Sequence, residues 1–318
     1  MATTPVLNEV MTKCDDPRFI DSNTKPIALE DIRNKHIIPV FVKDNTPTIS
    51  QADFVSTTIE VLESKYPETS NLALRVSHPI KGRIFSARNK KASELEEHEK
   101  TLYYERMAFS FDIPTVINSL NDKEVSLSVV GVKAYNQDNL YGYGNSLQRF
   151  KVGIGQKVKV CTNLCLFTNG TSLDIKVRSL EELTQKINEL LVQADIEEQA
   201  KILEQFNEYQ LTQEQFATLL GRSRMYNHLP KSQKKSIPEL LISDSQVSVV
   251  TKSYYQDENF PKNDDGSISL WNLYNLFTDA VKSSYIDSFM DRNLNAFTFT
   301  HGLMKTLDGE GTYDWFLN

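Results

Sequence analysis

Hydrophobic residues recur with one period in the first half of the chain and with another in the second half. From about residue 36 to residue 178, apolar and polar side chains alternate, as at Leu72, Leu74 and Val76. A period of two is typical of strands that bury one face. Five or more such segments follow one another across turn-rich connections, which predicts an antiparallel or meandering sheet.

After Ser179 the period changes to that of a helix. Ser179 with Glu182 three positions later predicts a capping box, and Leu183, Ile187 and Leu190 form an apolar stripe behind it. An earlier helix is predicted to begin at Ser50 in the same manner. The other predicted helices cover residues 196–209, 212–220, 244–255, 270–282 and 284–307.

These patterns predict an α+β fold, with an antiparallel or meandering β-sheet in the N-terminal half and a helical C-terminal half. Residues 1–30 lack sustained periodicity and are predicted to form a flexible N-terminal arm. Residues 31–178 form the predicted β-rich domain. Residues 179–318 form the predicted α-helical region packed on it.

The composition is that of a soluble globular protein, with 318 residues, 40% of them hydrophobic and 24% charged. No apolar run approaches the ~20 residues that span a bilayer, and the N-terminal residues do not resemble a secretion signal. Three cysteines, an odd number, favour a reducing compartment. We therefore expect a cytoplasmic protein without a membrane partner; the oligomeric state, a homo-oligomer included, stays open.

Positive charge is segregated along this acidic chain. Residues 69–93, 139–173 and 215–238 contain no Asp or Glu, yet they carry 15 of the 35 Lys and Arg residues. The rest of the chain has 20 basic residues against 42 acidic ones. If the three stretches meet in the fold, they form a face that attracts a polyanion.

The candidate nucleic-acid-binding residues come from these stretches. Basic side chains neutralise phosphates, and aromatic side chains such as Phe85 stack on unpaired bases. The alternative interpretation is ordinary solvated surface, and for Arg222 and Arg224 it is a helix C-terminus at Gly221, where cations are favoured. The candidates are Arg75, Lys81, Arg83, Arg88, Arg149, Lys151, Lys157, Lys159, Arg222, Arg224 and Tyr226.

No strong catalytic or metal signature is present, so no catalytic residue, metal ligand or cofactor is predicted. Cys161 and Cys165 lack the spacing of a zinc site and are predicted to be core residues of a strand. Asp174-Ile-Lys176 is an arrangement found in metal-dependent nucleases. It requires a second acid on an adjacent strand, for which Glu105 and Asp112 are the candidates.

Aromatic residues are frequent near the C-terminus and are predicted to be core. Trp271, Tyr274 and Phe277 fall close together on one predicted helix. Tyr285 and Phe289 are predicted to extend the same apolar region.

Several segments resemble an uncharacterised family of Bacteroides and its relatives that is found with mobile elements. The segments are Arg75-Val-Ser-His-Pro-Ile-Lys-Gly-Arg83, Leu95-Glu-Glu-His-Glu-Lys-Thr-Leu-Tyr-Tyr-Glu-Arg-Met-Ala-Phe109, Gly131-Val-Lys-Ala-Tyr-Asn136, Gly221-Arg-Ser-Arg-Met-Tyr226 and Leu270-Trp-Asn-Leu-Tyr-Asn-Leu-Phe277. In addition, Val160-Cys-Thr-Asn-Leu-Cys165 is similar to a segment of the phage/plasmid-like protein family, in which it ends a strand. Neither resemblance implies an activity, but a mobile-element setting favours DNA handling or interference with host defence.

We therefore expect a non-enzymatic accessory protein that binds nucleic acid, in the first place single-stranded DNA. One alternative is an acidic protein that binds and inhibits a host-encoded or element-encoded enzyme, because acidic surfaces mimic DNA. The second alternative is the metal-dependent nuclease.

Overall fold

A computed structural model describes residues 18–36, 48–66, 70–138 and 147–318. Its strands are β1 (Lys25–Pro26), β2 (Ser70–Val76), β3 (Pro79–Arg83), β4 (Lys100–Tyr104), β5 (Arg106–Leu120), β6 (Lys123–Ala134), β7 (Gln148–Val158), β8 (Leu164–Val177), β9 (Gln210–Leu211) and β10 (Ile268–Ser269). Its helices are α1 (Leu29–Lys35), α2 (Gln51–Lys65), α3 (Leu180–Gln193), α4 (Ile196–Gln205), α5 (Gln213–His228), α6 (Lys231–Lys234), α7 (Asp244–Gln256), α8 (Leu270–Val281), α9 (Ile286–Leu307) and α10 (Asp314–Leu317).

The predicted α+β fold is confirmed, with an antiparallel sheet followed by helices. The central sheet has the order β1-β2-β5-β6-β7-β8, and all of its neighbours are antiparallel. Strands β3 and β4 are inserted between β2 and β5 and form a separate two-stranded sheet.

Helices cover both faces of the central sheet. On one face, Phe54 of α2 packs against Phe109 and Phe150 with ring centroids 5.1 and 4.8 Å apart, and the stripe of α3 joins this core. On the other face, Phe289 and Met290 of α9 pack on the sheet. Helices α4, α5, α7, α8 and α10, together with the C-terminal part of α9, form a third core beyond the end of the sheet at which β5 meets β6.

Local sequence signals explain where most helices begin. The capping box predicted at Ser50 is present and is completed by Asp53. A capping box of Thr212 and Gln215 begins the helix predicted over residues 212–220. Ser179 caps α3 by accepting from the Glu182 amide, but the Glu182 carboxylate accepts from the amide of Arg178. Only half of the predicted box therefore forms there.

Helix α5 does not end at Gly221 as predicted but continues to His228. Its buried face extends from Phe216 and Leu219 to Ser223 and Tyr226, at helical spacing. Burial of this second half outweighs the cost of a glycine inside a helix, about 1 kcal/mol.

Parts of two predicted regions lie outside the described residues. These are the first 17 residues of the N-terminal arm and residues 37–47, 67–69 and 139–146 of the predicted β-rich domain. Within the remainder of that arm, Phe19 and Ile20 are buried under α9, and β1 pairs with β2.

The Val160–Cys165 segment forms the turn between β7 and β8 rather than the end of a strand. Thr162 has a φ of 60°, and Val160 is exposed. Cys165 is buried in β8, whereas Cys161 lies in the turn and is partly exposed. The prediction of a core position in a strand is therefore right for Cys165 and wrong for Cys161. Burial raises the pKa of both thiols, that of Cys161 to about 11.

We expect both thiols to react slowly, because a pKa near 11 leaves roughly one molecule in a thousand as the thiolate at pH 8. In a Cys14→Ser chain, a disulfide reagent such as Ellman's should modify the native protein at least ~100-fold more slowly than a free thiol. In urea it should find two reactive thiols. Rapid modification of one thiol in the native chain would contradict the burial described here.

One lysine is completely buried at the edge of the core that α2 and α3 form on the sheet. Lys133 on β6 donates to Asp138 at 2.5 Å, and its ammonium lies 4.0 Å from the centre of the Phe150 ring. Asp138 also accepts from the Arg149 amide at 2.8 Å, so it joins the end of β6 to the start of β7. Desolvation lowers the pKa of Lys133, and the attraction of Asp138 opposes this shift.

We expect Lys133→Met to reduce the free energy of unfolding by about 3–5 kcal/mol, because it leaves a buried carboxylate without its counter-charge. The double variant Lys133→Met/Asp138→Asn removes both charges and should recover a substantial part of this loss. Urea unfolding of the single and double variants measures the coupling. Additive effects of the two substitutions would contradict a coupled buried pair.

No described helix combines the length and the apolar character that crossing a bilayer requires.

Candidate functional site

The most exposed part of the sheet is a two-stranded extension, residues 77–105, which we call the ribbon. It continues β2 and β5 beyond the central sheet through β3 and β4, with Lys81 opposite Leu102 and Arg83 opposite Lys100. Between residues 79 and 104, the buried residues are Ala87, Glu99 and Thr101. A basic segment is thus presented outside the main cores.

An isolated hairpin is only marginally stable in water, so the ribbon needs further contacts. Two sets of contacts stabilise it. At its base, the Ser77 amide donates to the Arg106 carbonyl at 2.9 Å, and the Arg106 amide donates to Ser77 Oγ at 3.1 Å. At its tip, Lys90 pairs with the nearly buried Glu99 at 2.5 Å. This pair and the Glu96 amide lower the pKa of Glu99, which keeps its carboxylate ionised at neutral pH.

One face of the ribbon is basic. Side chains directly opposite each other in an antiparallel pair share a face, so Lys81, Arg83 and Lys100 lie on the same side. Lys100 pairs with Glu97, whereas the ion pairs between described residues include neither Lys81 nor Arg83. Arg83 donates instead to the carbonyl oxygen of Lys90.

An aromatic residue and an arginine lie where β3 ends. Phe85 is 62% exposed, and the Arg88 guanidinium lies 4.2 Å from the centre of its ring. Arg88 is exposed and takes part in no ion pair between described residues. The contact aligns a cation and an aromatic ring at the surface.

A cleft of about 220 Å³ lies at the base of the ribbon. Its lining includes Tyr285, which is 71% exposed, and Ile286 at the start of α9. It also includes Asn23 and His78, which hydrogen-bond each other at 3.3 Å, and Glu105. The cleft thus offers a planar group an aromatic ring and hydrogen-bonding groups.

Contacts between elements far apart in sequence fix the walls of the cleft. Arg106 pairs with Glu105 at 2.9 Å and with Asp287 of α9 at 3.2 Å. The amides of Asp21 and Ser22 donate to the Lys282 carbonyl at 2.8 and 3.2 Å. The cleft is therefore part of the folded core and does not depend on the ribbon tip.

The structure places the predicted basic residues of β7 in a different setting. Lys151 is 8% exposed, pairs with Asp291 of α9 at 2.5 Å and donates to the Asp287 carbonyl at 2.6 Å. Lys157 is equally buried and pairs with Asp112 at 2.5 Å. The face expected to form an open basic surface is thus covered by α9 at Lys151, and both ammonium groups are neutralised within the protein.

Three further candidates lie elsewhere on the sheet. Arg75 is buried and donates to Thr24 Oγ1 at 2.7 Å. Lys159 pairs with Glu124 at 3.3 Å at the turn that follows β7. Arg149 is exposed at the start of β7.

The third stretch lies on α5 and α6 in the helical half. Arg224 pairs with Asp244 at 2.9 Å, and Arg222 donates to the Asn318 carbonyl at 2.7 Å while lying over the Trp315 ring. Tyr226 is 5% exposed and packs against Trp315 and Phe316. These contacts join α5 to the C-terminal residues.

The fold does not bring the three stretches together. The ribbon extends from the end of the sheet at which β5 begins, whereas α5 packs in the core that contains Leu120 at the other end of β5. Fifteen residues at ~3.3 Å each separate these ends by about 45 Å. Of the candidates, Lys81, Arg83 and Arg88 lie together on the ribbon.

The acid pair that a nuclease requires does not form. Asp174 pairs with Lys176 at 2.5 Å on β8, and both side chains are exposed. Glu105 and Asp112 are on β5 or at its start, and two strands separate β5 from β8, which is about 14 Å. Across the described ranges, no group of three or more His, Cys, Asp or Glu side chains is placed to hold a metal ion.

Sequence reasoning missed the cleft and misplaced Tyr285. Phe289 is buried as predicted, but Tyr285 precedes the first turn of α9 and points away from the core. The buried positions of α9 begin at Ile286 and continue at Phe289, Met290 and Asn293. A helical projection that starts at Ile286 would have placed Tyr285 outside this stripe.

Comparison with known protein families gives a match over nearly the whole chain. A family model described as "Domain of unknown function, B. Theta Gene description (DUF3871)" matches residues 1–317. Neither the curated proteins nor the solved structures contain a match. Because the family model covers nearly the whole sequence, the chain belongs to this family of unknown function.

Proposed function

We propose that this protein binds nucleic acid, in the first place single-stranded DNA, and that the basic face of the ribbon contacts the phosphates. Lys81, Arg83 and Arg88 are the contact residues in this proposal. The observation that carries it is the presence of these cations on an extended ribbon without carboxylate partners among the described residues.

The charge arrangement on the ribbon supports an anionic ligand. Arg83 is directly opposite Lys100, and like charges in this position destabilise a β-pair. The partner of Lys100, Glu97, is 90% exposed, so solvent screens this pair strongly. A phosphate between Arg83 and Lys100 would remove the repulsion.

The aromatic residue beside the basic face supports a single strand. Phe85 is 62% exposed, with the Arg88 guanidinium 4.2 Å from the centre of its ring, and bases of every kind stack on an aromatic face. In a duplex the bases are already stacked on each other. Phosphate contacts next to an exposed ring therefore favour unpaired nucleotides.

The remaining candidates are not part of this proposal. Lys151, Lys157 and Arg224 already neutralise carboxylates, and phosphate binding there would require those pairs to break. For the buried Lys151 and Lys157, breaking the pair costs about 3–5 kcal/mol. A role of the protein in a mobile element is compatible with DNA binding and belongs to the same proposal.

A second candidate function is binding of a basic protein surface. Between Glu181 and Glu214 the chain has nine acidic residues and two lysines. Several of these acids lie in the first turns of α3, α4 and α5, where they also stabilise the helix dipole. An enzyme that normally binds DNA would be the partner in this case.

The triple variant Lys81→Ala/Arg83→Ala/Arg88→Ala should weaken binding of a fluorescent 20-nucleotide dT strand. Loss of three phosphate contacts should also reduce the slope of log K against log salt by about 2, since each contact on a single strand contributes about 0.7. Fluorescence anisotropy between 50 and 200 mM salt measures both quantities.

A charge-matched control is Lys231→Ala/Lys235→Ala/Lys252→Ala, which removes three exposed lysines from the helical half. We expect this control to retain the wild-type slope. An equal effect of both triple variants would show non-specific attraction rather than a site on the ribbon. Absence of salt-dependent binding by the wild-type protein would overturn the proposed function.

A further inference from the structure

We infer that the cleft at the base of the ribbon binds one unpaired nucleobase, stacked on Tyr285. This inference rests on the proposed function and adds a base-binding position to the phosphate contacts of the ribbon.

The lining of the cleft contains both kinds of group that contact a nucleobase. Tyr285 and Ile286 offer an aromatic and an apolar contact to the ring face. Asn23 and His78 hydrogen-bond each other at 3.3 Å, and the Asn23 carbonyl oxygen and the second ring nitrogen of His78 remain for the ring edge. Unpaired bases are commonly recognised by stacking on an aromatic side chain together with hydrogen bonds to their edges. The cleft volume of about 220 Å³ is room for a small planar heterocycle.

The charge of the cleft favours a base over a phosphate. Arg106 is the cation in its wall, and its guanidinium pairs with Glu105 at 2.9 Å and Asp287 at 3.2 Å. Two carboxylates around one arginine leave the wall without excess positive charge. A phosphate would be repelled there, whereas a neutral base with donors and acceptors would not.

Neither helix capping nor core packing explains the position of the Tyr285 side chain. It precedes α9 without a side-chain capping bond, and 71% of its surface is exposed. Its backbone is fixed on both sides, because the Ser288 amide donates to its carbonyl and Ser284 is buried next to it. The rigid backbone thus fixes the position from which the Tyr285 side chain lines the cleft.

The cleft lies beside the proposed phosphate contacts. Pro79 lines the cleft, and Lys81 is two residues further along β3, a distance of about 7 Å. A strand whose phosphates contact Lys81 and Arg83 therefore passes the mouth of the cleft. One of its bases can enter while the sugar-phosphate backbone stays on the ribbon.

Two probes of equal charge separate base binding from phosphate binding. One is a fluorescent 20-nucleotide dT strand, and the other is an abasic strand of the same length. Tyr285→Ala should weaken binding of the dT strand about tenfold, the effect of losing one stacked base. It should change binding of the abasic strand less than twofold, and Tyr285→Phe should retain wild-type affinity for both.

Tyr255→Ala is the matched control, because Tyr255 is a similarly exposed tyrosine (66%) on α7. It should leave the affinity for both strands unchanged. Equal effects of Tyr285→Ala on both strands, or no effect on either, would overturn the base-binding inference and leave the phosphate contacts standing. If the wild-type protein binds neither strand in a salt-dependent manner, the proposed function itself fails.

Discussion

The central sheet must bury both of its faces, and the rest of the structure depends on how α9 covers one of them. Phe289 and Met290 anchor this helix on the sheet, and Lys151 pairs with Asp291 of the same helix. Arg106 pairs with Asp287 at the helix start. Helix α9 therefore neutralises two cations of the sheet and, through Arg106, also fixes the base of the ribbon.

The position of α9 explains which basic residues are available to a ligand. A lysine under a helix is stable only with a carboxylate partner, since unpaired burial of an ammonium group is costly. Lys151 and Lys157 have such partners, and so does the completely buried Lys133. The ribbon lies beyond the covering helices, where Lys81 and Arg88 are exposed and form no ion pair with a described residue. Hydrated, unpaired cations are the groups that can bind phosphate without breaking an internal contact.

The ion pairs of Arg106 affect both the ribbon and the cleft. The pairing of Arg106 with Asp287 and Glu105 joins the ribbon to α9 and removes the positive charge from the cleft wall. The ribbon and the cleft thus differ in charge although they are adjacent. This difference gives phosphates and bases separate places on one surface.

Much of the fold follows from the sequence alone, because it depends on local patterns. The change from period two to helical period near Ser179 predicts the order of sheet and helices, and the caps at Ser50 and Thr212 begin their helices as expected. The end of α5 was mispredicted because burial of Ser223 and Tyr226 outweighs the local signal of Gly221.

The candidate site was only partly accessible to such reasoning. The acid-free segment around Lys81 and Arg83 is visible in the sequence. The sequence by itself determined the elements, their apolar faces and the segregation of charge. Tertiary structure alone decided that the basic face of β7 is covered at Lys151, that the three basic stretches lie apart and that Tyr285 borders a cleft. The physical reason is that periodicity identifies the polar face of an element, whereas its contact with water depends on distant segments that pack against it.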